Sequence, residues 1–227
     1  MGGTSLPKDL PGEWLYLAFA FVGGYGDAVS FVLAKTFTGH ITGSLVLATI
    51  AIAAHVWSSL AVHLSAVLFF LIGVFASVRI ECALAAWQRV KSPSAFLIIE
   101  ASLTLAAYLA LATHATTGAE VFVVCMSLAL GIQNGAFQST GGISVHTTYL
   151  TGMITGLITT EAKNAISTTR DSRQRLLYGI WVAFVVGGIV GAGLALHFKE
   201  KGILGTTVLL LVIFVCQTQT REPSFEG

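Results

Sequence analysis

The stretch Trp14-Leu-Tyr-Leu-Ala-Phe-Ala-Phe-Val-Gly-Gly-Tyr-Gly-Asp-Ala-Val-Ser-Phe-Val-Leu-Ala34 decides how the rest of the chain is read. It has the length of roughly 20 residues that an α-helix needs to cross the hydrocarbon core of a bilayer, and it holds one charged side chain, Asp27. In hydrocarbon every backbone N–H and C=O must be satisfied within the segment, so such a run is a helix. Asp27 stands near its centre, where a carboxylate costs about 2.5–3.5 kcal/mol to insert. Residues of that kind face a bundle interior or a watery cavity, so other helices must surround this one.

Five further runs share the character of the first: 60–80, 95–112, 121–137, 176–198 and 203–216. Two shorter apolar segments, 40–56 and 149–160, begin in Thr/Gly-rich sequence and fit either short spans or half-helices that dip into the bilayer. Of the 227 residues 55% are apolar and 10% charged, against about 25% charged in a soluble domain. The mean hydropathy of +0.81 is spread along the chain, so no cleavable signal accounts for it. One transmembrane domain is expected, with short polar tails at 1–13 and 218–227. A net charge of +1 leaves no basic footprint for nucleic acid. Cys82, Cys125 and Cys216 lack CxxC or Cys/His ligand spacing and read as buried small hydrophobes.

The runs pair up. Gly24-Tyr-Gly-Asp27 is answered by Gly131-Ile-Gln-Asn134, and each is followed by a Thr-Gly pair opening a short apolar segment, Thr42-Gly43 and Thr151-Gly152. Gly73 in the run 60–80 matches Gly187 in the run 176–198. Halves of about 14–113 and 119–217 then each read span, short segment, span, span. The expected fold is an all-α polytopic bundle with an internal two-fold repeat, inverted if the short segments do not cross and parallel if they do.

Lys and Arg concentrate on the cytoplasmic side of a membrane. With six spans, Lys8, Arg79, Arg89, Lys91, Lys163, Arg170, Arg173, Arg175 and Arg221 share one side and Lys35, Lys199 and Lys201 the other, nine against three. Eight spans divide the same cations six against six, and a seven-span arrangement in which only 40–56 crosses again gives nine against three. Six spans treat the halves alike and place both termini in the cytoplasm.

Asp27 is the sharpest candidate for a proton or cation site, with local pairing after the glycine-rich break at 23–26 as its structural alternative. Thr38-Gly-His-Ile-Thr-Gly-Ser44 gathers three hydroxyls, a histidine and two glycines at the start of a half-helix. Unsatisfied N–H groups and the helix dipole there favour an anion or a polar solute group. Thr38, His40, Thr42 and Thr151 are therefore candidate solute- or ion-binding residues. Gln133 and Asn134 join them, because they occupy the second-half position matching Asp27, and Asp27 facing Asn134 would satisfy both. Gly39 with Gly43, and Gly152 with Gly156, form GxxxG pairs for which close helix packing carries equal weight. His40 and His146 stand just ahead of the Thr-Gly pairs, where a histidine titrates near neutral pH but is more often not catalytic. Glu100 is expected to be structural, snorkelling or pairing with Arg89 or Lys91. No Ser/His/Asp, Cys/His or metal-ligand constellation stands out, so nothing in the sequence argues for an enzyme, a metal or a cofactor.

Four ordered motifs carry a resemblance: Gly24-Tyr-Gly-Asp-Ala-Val-Ser-Phe31, Phe37-Thr-Gly-His-Ile-Thr-Gly43, Leu130-Gly-Ile-Gln-Asn134 and Thr147-Thr-Tyr-Leu-Thr-Gly152. Together they resemble the YoaK family of bacterial membrane proteins, known mainly as a domain of unknown function. The resemblance covers about residues 14–216 and implies a multi-pass inner-membrane protein without supplying a substrate. Ser44 stands where the family usually has Asn, and the connection His55-Val-Trp-Ser-Ser59 is less charged than usual. The functional expectation is a small-solute secondary transporter or permease with Asp27 at a mid-membrane site. The alternative is a non-transporting scaffold or accessory subunit in which the glycines pack helices and Asp27 is a paired buried group. The expected partners are the lipid bilayer and a small solute; a homo-oligomer stays open.

Overall fold

The computed structural model describes residues 13–86, 93–113, 117–137, 139–140, 143–144, 150–163 and 172–219. Among them eight α-helices carry the fold: α1 (Glu13–Ala34), α2 (Ile41–Ala53), α3 (Trp57–Ala86), α4 (Pro93–Ala112), α5 (Gly118–Ala136), α6 (Leu150–Lys163), α7 (Ser172–Phe198) and α8 (Leu204–Gln219). A 3₁₀ turn, Lys199–Ile203, joins α7 to α8. The extended structure among the described residues is one small antiparallel ladder, β1 (Ser139–Thr140) on β2 (Ile143–Ser144).

Among the described residues five apolar stretches are long enough to cross a membrane, and the last, Gln174–Gln219, takes in all of α8 and all of α7 but its first two residues. Their outer faces carry large apolar side chains such as Phe75, Ile189 and Leu196, each more than two-thirds exposed. In water a surface of this extent would drive association; in a bilayer it is the lipid-facing side. The protein is a polytopic helical membrane protein. Cys82 and Cys216 lie on this exposed side and Cys125 is half-buried, which corrects the expectation of three buried thiols. Lipid accepts an apolar thiol as readily as a core does, so composition alone could not separate the two.

Residue contacts fix the helix directions. Gln133 of α5 donates to the Phe19 carbonyl of α1, while Gly26 lies against Met126 and Leu130, so α1 and α5 are antiparallel. Gly187 and Gly191 of α7 meet the carbonyls of Phe21 and Tyr25, so α7 runs parallel to α1. Gly73 of α3 meets the backbone at Leu128, and Gly135 of α5 meets Val74 and Ser77, so α3 runs parallel to α5. It follows that α1 opposes α3 and α5 opposes α7. α3 therefore begins on the side where α1 ends, and α7 on the side where α5 ends, so neither α2 nor α6 adds a crossing, and six helices, α1, α3, α4, α5, α7 and α8, run the length of the bundle.

The two parallel seams are built alike. A Cβ at Gly24 would stand on the Phe184 carbonyl, and one at Gly131 on the Phe70 carbonyl. Gly187 abuts the Phe21 carbonyl and Gly73 the Leu128 carbonyl. These are the glycines that pair in the sequence. Backbones that nearly touch supply the dispersion contacts that hold helices together where lipid removes the hydrophobic drive.

Candidate functional site

The bend after α1 builds the site. Lys35 adopts the left-handed φ of 55°, and its N–H closes on the Phe31 carbonyl at 3.0 Å, which ends α1 and sends the chain back toward the bundle. The Thr38 and Gly39 N–H groups donate to Asp27 Oδ1 at 2.9 and 2.6 Å, and His40 Nδ1 meets Asp27 Oδ2 at 2.7 Å. Asp27 lies seven residues before the end of α1, about 10 Å down the helix at 1.5 Å per residue. The first residue of α2 therefore lies well inside the bundle, and α2 is a half-helix that starts at depth and returns to the side from which the chain descended. Its N-terminal end supplies positive potential to the carboxylate.

Hydroxyls line both sides of the bend. Ser30 Oγ pairs with Thr38 Oγ1 at 2.8 Å on the Asp27 side. On the other, His63 of α3 meets Thr36 Oγ1 at 2.9 Å, Thr36 approaches Ser44 Oγ at 3.4 Å, and Ser44 donates to the Phe37 carbonyl at 2.6 Å. Asp27, Ser30, Thr36, Thr38, Ser44 and His63 are all buried, whereas the His40 side chain keeps 29% exposure. His40 is thus the member of the cluster with an outlet, and it sits edge-on to Phe184 of α7 with ring centroids 5.4 Å apart. The hydrogen bond to Asp27 lifts the imidazole above its ordinary range, outweighing the opposing effect of burial.

Of the residues expected to bind, Asp27, Thr38 and His40 come together in one hydrogen-bonded unit, and Gly39, expected to pack helices, joins it by donating its N–H to Asp27. Thr42 and Thr151 do not join it; both are exposed on the outside of the bundle. Gln133, wholly buried, bonds the Phe19 carbonyl at 3.0 Å and ties α5 to α1. Asn134 Nδ2 bonds the Leu130 carbonyl on its own helix. Asp27 is therefore met by the descending loop, not by Asn134, because two backbone N–H groups and an imidazole offer a carboxylate more than one amide can. Gly43 accommodates the Phe37 ring, against which a Cβ would stand at 2.8 Å. Gly152 is half-buried, and a Cβ at Gly156 would meet open space. His146, Arg89 and Lys91 lie outside the described residues. Glu100, expected to snorkel or to pair with Arg89 or Lys91, is 1% exposed and so does not snorkel; the two cations fall outside the described residues.

Sequence reasoning missed Ser30, Thr36 and His63. His63 was visible as the one titratable ring inside the apolar run 60–80, but nothing in its spacing linked it to Thr36, 27 positions earlier.

The chain belongs to the DUF1275 family. That family, described as proteins of unknown function, matches residues 15–216, which take in both the Asp27 unit and the paired glycine seams. YoaK is a member of it, in agreement with the resemblance carried by the four motifs. No curated protein and no solved structure matches the chain. In this DUF1275 protein the first two of those motifs are the two sides of one structure: Gly24 to Phe31 provides the carboxylate, and Phe37 to Gly43 provides the loop that binds it.

Proposed function

We propose that this DUF1275 protein is a secondary transporter or permease for a small solute, resident in the bacterial inner membrane with both termini in the cytoplasm. The proposal rests on the place where α2 begins: a half-helix starts inside the bundle, against a buried carboxylate and a titratable imidazole. Broken helices of this kind supply polar backbone groups at membrane depth and form the ion and solute sites of many transporters. Protonation of His40 sets how firmly the loop is held, since an imidazolium binds the Asp27 carboxylate more strongly than a neutral imidazole does. Thr38 and His40 would line the solute path.

The matching seams, Gly24 on Phe184 with Gly131 on Phe70, support an inverted repeat in which α1 to α4 and α5 to α8 are counterparts and α2 answers α6. The α1–α7 pair rocking against the α3–α5 pair about the α1–α5 contact would expose the Asp27 unit alternately. Lys35, Lys199 and Lys201 fall at one end of the bundle and Arg79 and Arg175 at the other, which with the sequence-wide bias supports the orientation.

A scaffold reading has its own support, because three bonds from the chain itself already engage Asp27. On that reading Asp27 only staples α2 to α1. Proteoliposome uptake across a panel of small solutes, wild type beside Asp27→Asn, decides between them. Uptake that Asp27→Asn abolishes supports the transporter; a folded wild type that moves no solute supports the scaffold.

A further inference from the structure

α4 carries a second carboxyl into the bundle. Glu100 shares its face with Leu97, Ala101, Thr104 and Ala107, all buried, while Ile98, Ile99 and Leu105 cover the opposite, exposed face. Glu100 Oε1 finds no hydrogen-bond partner among the described residues. Gly118 abuts the Ala110 carbonyl where α4 turns into α5. Counting ten residues back along α4 and ten forward along α5 sets Glu100 level with 128, beside Ser127. The Ser127 hydroxyl is also fully buried without a partner. Met126 and Leu130 flank Gly26, so Glu100 lies at about the depth of Asp27. One turn further along the same face Thr104 Oγ1 meets Thr207 Oγ1 of α8 at 2.8 Å.

The titratable groups on the elements packed against α4 are Glu120 and Cys125 of α5, Cys216 of α8, and Lys199, Glu200 and Lys201 of the 3₁₀ turn. None bonds Glu100 Oε1, and both lysines are exposed. Among the described residues a carboxylate in such a place has no counter-ion beside it, and a buried acid without one keeps its proton.

We infer that Glu100 is a second membrane-embedded proton site, a carboxylic acid that holds its proton in the resting protein and releases it to water when α4, α5 and α8 part. The step needs no other reactant: the O–H bond breaks, water takes the proton and the carboxylate remains. Only the use of that proton rests on the transport reading; its presence does not.

Dicyclohexylcarbodiimide tests the presence of the proton on the full-length protein in liposomes. The reagent reacts with protonated carboxyls in apolar surroundings, taking the acid proton on nitrogen and the carboxyl oxygen on carbon, and rearranges to a stable acylurea. At neutral pH the peptide containing Glu100 is expected to gain the mass of one intact reagent, the peptide containing Asp27 none, and a Glu100→Gln protein none at position 100. Infrared spectra of the wild type should show the carbonyl stretch of a protonated carboxyl that Glu100→Gln lacks, a reading independent of reagent access. Absence of both the adduct and the band at neutral pH in the wild type would overturn the inference. Adduct and band in a protein that transports nothing would leave Glu100 protonated and remove the transport reading alone.

Discussion

Asp27 and His40 meet at 2.7 Å across the bend that turns α1 into α2, and that contact joins the buried acid of the first spanning helix to the residue that opens the half-helix. With the Thr38 and Gly39 N–H groups on the other carboxylate oxygen, it fixes a loop that would otherwise carry unsatisfied backbone groups into hydrocarbon. The same contact is therefore a structural tie and a titratable element.

Asp27→Asn should lower stability. The amide keeps one acceptor for the loop N–H groups but loses the charge that holds the imidazole, and losing a charged hydrogen-bond partner costs about 1.5–3 kcal/mol. Asp27→Ala should cost more, toward the roughly 3–5 kcal/mol of a broken buried pair. Melting of the detergent-purified proteins measures both, and an Asp27→Asn protein that melts with the wild type would remove Asp27 from the architecture of the bend.

The pH dependence has the sign of a group that binds its proton more tightly in the folded state than in the unfolded chain. The folded protein raises the His40 imidazole through its bond to Asp27, so the folded state holds the proton more tightly than the unfolded chain. That contribution is complete below the unfolded value of about 6.5 and disappears as pH rises through the higher folded value. Wild-type melting temperature should fall over this window, and His40→Ala should flatten that part of the profile. Parallel profiles for the two proteins would show that His40 is not the group responsible.

Much of this was legible because hydrocarbon imposes a length. Runs such as 14–34 and 95–112 could be read within a residue or two of α1 and α4, since the charged or small residues that end them also end the helices. The path of 40–56 was only partly legible: it is apolar enough to cross, and the charge count that favoured a return fitted seven spans as well as six, whereas the opposed directions of α1 and α3 and the descent of Thr38 and Gly39 to Asp27 show that it turns back. Asp27 stood out as a lone charge in an apolar run, but its partners could not be found by matching halves. Asn134 occupies the corresponding place, yet a loop eleven residues further along the chain reaches the carboxylate first. His63 and Thr36 are brought together only by the packing of α3 against the bend.

Because α2 and α6 return to the sides they leave, the ends of α1 and α7 share one membrane face. Cysteines at Lys35 and Lys201 should be labelled from the same side by an impermeant maleimide, and cysteines at Arg79 and Arg175 from the other. Labelling of Lys35→Cys and Arg79→Cys from one face would mean that the number of crossings between them is even, contrary to the single crossing of α3.

The glycine seams give the last expectation its contrast. At Gly187 a Cβ would stand on the Phe21 carbonyl, and at Gly131 on the Phe70 carbonyl; both obstacles are backbone and cannot rotate away. Gly187→Ala and Gly131→Ala must therefore push whole helices apart, and overpacking of this kind costs about 1–3 kcal/mol even where neighbours can adjust. Gly156→Ala meets open space on α6 and replaces the poorer helix former with the better, which favours the variant by up to about 1 kcal/mol. Melting of the three purified variants should place Gly187→Ala and Gly131→Ala well below the wild type and Gly156→Ala at or above it. Equal melting of Gly131→Ala and wild type would mean that α3 and α5 do not approach as closely as the Phe70 carbonyl requires, and the likeness of the two seams would then rest on α1 and α7 alone.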